Sequence, residues 1–335
     1  MLRQTLGAAV LLWALVFLPA LLFAPRQTEE EHPLLSSGQT VSSTAAVEAD
    51  SDAAHSLRLW QEGKAIELSV EEYLQGVLRG EMPAAFHMEA LKAQTVAERT
   101  YLYYQMAAGA KPSHPQADVC TDPSCCTAYL TEEAAREKWG AAFEECNEKI
   151  LEAVSATDGQ VMYYGGEPIM AVFHSSSAGM TATSGEVWTA DLPYLVSVES
   201  PESADTVPNY YSVNTFTAAE FREKFSSHYP AAKWGDKTKD WVSDVVRTDT
   251  GRVESVTIGG VEVSGQDLRR IFSLRSTSFT IEAGEEAVTF RVTGYGHGVG
   301  MSQYGANALA QEGKTWREIL QWYYTGITIE DYTTP

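Results

Sequence analysis

Residues 76–106 read GVLRGEMPAAFHMEALKAQTVAERTYLYYQM, and the pair Met82-Pro83 divides the stretch in two. Upstream of it, Val70, Tyr73, Leu74, Val77 and Leu78 trace one face of a helix that Ser69 and Glu72 open as a capping box. Pro83 ends that helix, because a proline drives the residue before it out of helical geometry. A second helix is predicted from about Met88 to Met106, with Gly109 as its stop. Glu81 therefore sits at a helix C-terminus, where the helix dipole disfavours a negative charge, and Met82, Pro83, Ala85 and Phe86 can desolvate it. Both effects raise a carboxyl pKa, the condition a general acid needs near neutral pH. On position alone, an exposed and inert glutamate is the competing reading. Glu72, Glu89 and Glu98 suit helix caps and solvated faces instead. Lys92 and Arg99 lie two turns apart on roughly one face of the second helix, either as surface charge or as groups that hold a ligand and orient a carboxylate.

Outward from this stretch, residues 57–70 alternate apolar and polar around Glu62-Gly63, a hairpin signal. Residues 131–157 read as a helix despite Gly140. After it β signals dominate: strands around Gly165-Gly166, a meander over 245–265 leading to a short helix opened by Ser264 and Asp267, and a further hairpin over 278–294. Two closing helices fall near 302–311 and 315–324, the second with a Thr315–Glu318 capping box and Gly326 as its C-cap glycine. The expected class is α+β: a helical lobe over about 57–150 that carries Glu81, packed on a mainly antiparallel β lobe over about 151–335.

Ahead of this domain, Leu6–Ala24 is an uncharged apolar run, close to the roughly 20 residues a membrane-spanning helix needs and longer than a signal-peptide core of about 7–15. The expectation is an N-terminal transmembrane anchor over 1–26, its N-terminus inside and the rest of the chain outside. Residues 27–56, rich in Ser, Thr, Glu and Ala, read as a disordered linker. The 335 residues carry a net charge of −21, which excludes a general nucleic-acid binder and suits a neutral or carbohydrate ligand.

Three further constellations carry chemistry. His114, Cys120, Cys125 and Cys126 crowd a short loop; they fit a closed, structural zinc site or, with Cys146, two disulfides, and spacing leaves both open. In AVFHSSSAGMTATSGEVW (171–188), His174 beside Ser175 and Ser176 lacks the nucleophile elbow of a serine hydrolase. Hydroxyls with Trp188 fit sugar binding better, a polar turn equally well. In GYGHGVGMSQYGANALAQEG (294–313), alternating glycines permit close approach of a backbone or polymer and present His297, Gln303 and Tyr304 on one rim.

Taken in order, GVLRGEMPAAF…LKAQTVAERTY, FHSSSAGMT…EVW, LPYLVSVESP and GYGHGVGMSQYGANALAQEG…WREILQWYYTGI resemble the stage II sporulation protein D family over roughly residues 57–332. That family comprises lytic transglycosylases acting on peptidoglycan during engulfment of the forespore. The resemblance implies that Glu81 is the catalytic glutamate and that Lys92, Arg99 and Tyr101 lie around the active cleft. It also implies a zinc held by His114, Cys120 and Cys126, with Cys125 at a position that takes histidine in some members, and no cofactor for the chemistry itself. The implied partners are glycan strands, a stage II sporulation protein P-like amidase and the membrane protein recruiting both. The implied location is the mother-cell membrane, facing the septal space. The same architecture resembles amidase enhancers, which would bind wall or a partner hydrolase without strong catalysis.

Overall fold

The computed structural model describes residues 51–188 and 190–333. The expected anchor and most of the expected linker lie outside them; among the described residues no helix is long and apolar enough to cross a membrane.

The chain opens with a hairpin, β1 (Ser56–Gln61) and β2 (Lys64–Ser69), turned by Glu62 and Gly63 at positive φ. Helix α1 (Val70–Glu81) follows with the Ser69–Glu72 capping box formed, and extended Met82 ends it ahead of Pro83. Helix α2 (Met88–Ala108) starts where the sequence places it and stops at Gly109. It is buried on most of its circumference and packs against its neighbours on several sides, so it is the axis of the first core. Next come β3 (Val119–Cys120), paired parallel with β1, then α3 (Glu132–Trp139) and α4 (Phe143–Ser155). The single helix expected over 131–157 is thus broken: Gly140 takes φ 54°, and a 3-10 turn joins the two pieces.

Strands β4 (Gln160–Tyr164), β5 (Glu167–Pro168) and β6 (Phe173–His174) and the short α5 (Ser184–Val187) still belong to this core. The chain then leaves it. β7 (Tyr211–Thr217), α6 (Ala218–His228), β8 (Val242–Arg247), β9 (Val253–Ile258), β10 (Val261–Ser264), α7 (Gly265–Ile271), β11 (Phe279–Ala283) and β12 (Ala287–Thr293) form two antiparallel three-stranded sheets around a second, aromatic-rich core. Phe221 stacks on Phe272 at its centre, 4.8 Å between ring centroids.

β13 (Met301–Ser302), α8 (Gln303–Gln311), α9 (Trp316–Tyr323) and β14 (Thr328–Asp331) return to the first core. The expected division near residue 150 is therefore corrected. The β lobe is an insertion of residues 211–293, because the apolar faces of α8 and α9 find their partner in α2, on the far side of the sequence. Gly326 is also not a C-cap: α9 ends at extended Tyr324, two residues earlier. The class is α+β with mainly antiparallel sheets; among the described strands only β1–β3 and β6–β13 pair in parallel.

Asp52, expected in the linker, is in fact part of the fold. Its carboxylate is 1% exposed and accepts from Arg99 Nε at 2.8 and 2.9 Å and from Nη2 at 2.5 Å. The folded domain therefore includes residues 51–56 as well as those from 57.

Candidate active site

Two glycines in the deciding stretch explain how Glu81 is held. A Cβ at Gly76 would lie 2.1 Å from the Tyr129 ring, and one at Gly80 3.0 Å from the Ala128 backbone. Without them α1 lies directly on the segment 128–130. That contact lets the Ala128 N–H donate to Glu81 Oε1 at 2.7 Å, while Gln303 Nε2 donates to the Glu81 main-chain oxygen at 3.3 Å. Burial pushes the Glu81 carboxyl above its ordinary range, and the hydrogen bonds from Ala128 and Gln303 only partly oppose that rise.

Glu81 forms part of the wall of a cleft of about 670 Å³. Tyr101, Ser175, His297 and Gln303, all anticipated, line it as well, together with Trp188. Burial beside the cysteine loop pushes the Tyr101 phenol up to about 12, so it remains a hydrogen-bond donor. His174 contributes to the wall but is spoken for: Nδ1 faces the Val299 carbonyl at 3.2 Å and Nε2 the Ser177 hydroxyl at 2.8 Å. Burial, with the charges of Arg252 and Arg269, lowers its pKa well below the ordinary value and holds it neutral. Its serine partner is Ser177, itself 1% exposed, so the pair is a buried strut and no nucleophile.

Four anticipated positions are corrected. Arg99 is fully buried in its ion pair with Asp52, so its guanidinium cannot reach the cleft. Lys92 turns to Glu89 at 3.0 Å, and Glu89 in turn accepts from the Trp316 N–H. Ser176 is 3% exposed and bridges Tyr295 through its backbone. Tyr304 packs edge-on against Phe86, ring centroids 4.9 Å apart. None of the four lines the cleft. Glu98, read as a solvated-face residue, is 2% exposed; Oε1 accepts from Gln94 Nε2 at 3.0 Å and Oε2 has no partner. Burial, with the neighbouring charge of Glu81, raises its pKa well above the ordinary value.

The glycine-rich rim does allow close backbone approach, and it presents His297 and Gln303, though not Tyr304, to the cleft. A Cβ at Gly300 would lie 2.1 Å from the Val172 carbonyl, so only glycine lets β13 pair in parallel with β6 and bring Gln303 and Ser175 to one wall. Sequence reasoning missed Tyr295, Arg269 and the Ala128 N–H. Arg269 comes from the inserted lobe, and nothing in its local sequence marks it.

The cysteine loop also contributes to the cleft wall, through residues 123–127. The donor atoms of His114, Cys120, Cys125 and Cys126 lie within 4.8 Å of one another, and all four cysteines of the chain are free thiols. His114 Nδ1 is turned to the Ala117 carbonyl at 3.0 Å, which leaves Nε2 facing Cys126 Sγ at 3.5 Å. Lys111 lies 3.6 Å from Cys126 Sγ, a counter-charge for thiolates. One imidazole and three thiols with an outer-shell carbonyl and a lysine fit a tetrahedral metal site with no open position. The disulfide alternative is not what the fold adopts.

A family model described as "SpoIID: Stage II sporulation protein" matches residues 61–164, the segment carrying Glu81 and the cysteine loop. Stage II sporulation protein D of Bacillus subtilis (strain 168) is 36% identical over 264 residues, 79% of this chain and 75% of that protein. The chain belongs to the stage II sporulation protein D family. The Bacillus amyloliquefaciens protein of the same name is 34% identical over 79% of this chain and 75% of its own length. The amidase enhancer of Bacillus subtilis (strain 168) is 29% identical over 77% of this chain but only 40% of its own length.

Proposed function

We propose that this family member is a lytic transglycosylase that cleaves the bond between N-acetylmuramic acid and N-acetylglucosamine in peptidoglycan glycan strands during sporulation. The observation that carries the reading is Glu81: a single carboxyl in a cleft wall, raised in pKa by burial and fixed by one backbone donor. Since Oε1 accepts from Ala128, the acid's proton sits on Oε2. Protonated Glu81 donates it to the glycosidic oxygen, and an oxocarbenium-like centre develops at the muramic C1. The resulting carboxylate takes the proton of the muramic 6-hydroxyl, whose oxygen bonds to C1 and closes a 1,6-anhydro ring. The intramolecular attack supplies the effective concentration for which a hydrolase needs a second carboxylate. Trp188 and Tyr295 offer ring faces to the sugars, and Tyr101, Ser175 and Gln303 offer hydrogen bonds.

His114, Cys120, Cys125 and Cys126 would hold a structural zinc; bound there it supplies cross-linking of the loop and no chemistry to the reaction. The apolar run at 6–24 would anchor the chain in the membrane with this domain outside the cytoplasm, alongside a stem-peptide amidase and a membrane recruiter. Full-length protein recovered in membrane fractions is the expected result; a soluble species beginning near Pro25 would end the anchor reading.

The deciding experiment is mass spectrometry of peptide-free glycan strands incubated with the protein and with Glu81→Gln. Anhydro ends, lost in the variant by at least about 10²-fold with glycan binding kept, are expected. Reducing ends would mean that water attacks. No cleavage by either form, with binding retained, favours a second reading as a wall-binding enhancer of an amidase, which the amidase-enhancer similarity supports.

A further inference from the structure

The part of the cleft wall that comes from the inserted lobe carries positive charge, in a protein whose net charge is −21. Arg269, on α7, lines the cleft beside Tyr295 and His297. Among the described residues it has no ion pair and no side-chain hydrogen bond, and the only group near enough to favour its charge is the Tyr295 hydroxyl. Two more arginines stand beside it. Arg275 lays its guanidinium over the Tyr295 ring, 4.3 Å from the centroid, and Arg252 is 3% exposed. The Nε of each is buried without a partner. His297 cannot be a fourth cation at neutral pH, since burial and the charges of Arg269 and Arg252 bring it down to about 4.

A partly desolvated guanidinium with no counter-charge is costly; Arg252 has Glu186 as a nearby favourable charge, whereas Arg269 has no acidic partner among the described residues. Such an arrangement is kept where a ligand supplies the missing anion, and a planar guanidinium is suited to a carboxylate. We propose that Arg269 receives a carboxylate carried by the muramic acid residue of the bound strand, and so fixes which sugar lies at the His297 end. This rests on the glycan-cleaving reading above and deepens it. The two sugars differ in one respect that matters here: N-acetylglucosamine is uncharged, whereas muramic acid bears a lactyl ether. That ether ends in a free carboxylate when the stem peptide is absent and leads to the peptide's own carboxylates when it is present.

The test uses the full chain in the Glu81→Gln background, so that binding is read without turnover. Four probes are titrated calorimetrically: an alternating N-acetylglucosamine–N-acetylmuramic acid tetrasaccharide with free lactyl carboxylates, the same with those groups as methylamides, the same bearing stem peptides, and chitotetraose. Arg269→Ala is expected to weaken the free-acid probe by about 10–100-fold, the size of a charge-assisted contact. It should leave the methylamide and chitotetraose unchanged, which also shows that the variant is folded. Arg269→Lys, which keeps the charge but not the fork, should recover part of the loss. Dependence on Arg269 only with the peptide-bearing probe would place the carboxylate in the stem peptide. Equal binding of the acid and methylamide, or an Arg269→Ala loss that falls equally on all four probes, overturns the proposal. Cleavage is assayed in parallel with Glu81 intact. Anhydro products without Arg269 dependence sink this inference alone. Arg269-dependent binding without cleavage sinks the proposed reaction alone.

Discussion

Glu81 and Glu98 are chemically identical, and burial raises the pKa of both, yet only one can act. Glu81 has an oxygen held by a backbone N–H and a face in the cleft; Glu98 has one donor, Gln94, one orphaned oxygen and no place in the cleft lining. The charges acting on Glu98 are Glu81, which raises its pKa, and Arg99, which lowers it, with Tyr73 nearby as a further burdened group. A carboxyl whose folded pKa lies above its ordinary value of 4.5 binds its proton more tightly folded than unfolded. Stability is then undiminished below about pH 4.5 and is eroded as pH rises from there toward the folded pKa. Glu98→Gln removes that erosion. Urea midpoints measured between pH 4 and pH 8 should therefore fall with pH more steeply in the wild type than in the variant. Parallel curves would mean that Glu98 ionises freely and is not buried as described. The sequence could not show this: Glu98 sits in a run of good helix formers, and α2 is buried on most of its faces, a property of the packing and not of its period.

At the scale of elements, the best-read parts are those governed by local rules. The Ser69–Glu72 and Thr315–Glu318 caps, the Glu62-Gly63 turn and the Pro83 stop all form as read, because each is decided within four residues. The insertion of 211–293 was missed because it depends on partners distant in sequence, whereas the helix break is local: Gly140 takes φ 54° and a 3-10 turn follows, a use of glycine that helical periodicity does not reveal. The site shows the same division: Tyr101, Ser175, His297 and Gln303 stand where the motifs suggest, whereas Lys92, Arg99, Ser176 and Tyr304 are turned away by contacts no motif encodes. The cysteine loop links the two kinds of information. Ala128, two residues after Cys126, supplies the donor to Glu81, so the loop's conformation sets the acid's position. Cys126→Ser, like chelation of the wild type, should lower glycan cleavage on the order of 10²-fold, the effect of misplacing a reacting group by about 1 Å, and should lower the melting temperature too. Glycan binding should persist, since the aromatic wall is formed by other segments. Full activity in the serine variant would show that the loop does not orient Glu81.

For the whole molecule, the question is where the domain begins, and the answer lies in one buried pair. Asp52 and Arg99 are 1% and 0% exposed; Asp52 N–H donates to Asp158 Oδ1 at 2.8 Å, and Arg99 Nη1 donates to the Gln160 carbonyl at 3.2 Å. This joins the segment before β1 to α2 and to the start of β4, so the chain's entry is tied to the axis of the first core. Removing one member of a buried pair leaves a desolvated charge, at a cost of about 3–5 kcal/mol, whereas replacing both by apolar groups is often neutral. A chain starting at Ser56 keeps every residue of the cleft but strands Arg99. It should be less stable to denaturant than one starting at Ser51, by about 3–5 kcal/mol in unfolding free energy. Arg99→Met should reverse the order of effects: it destabilises the longer chain, where Asp52 is then left alone, and restores much of the loss in the shorter one. If Arg99 instead contacted glycan, Arg99→Met would weaken strand binding equally in both chains and leave their relative stabilities unchanged. Denaturation and glycan titration of the four proteins together separate a positioning role for Arg99 from a binding one.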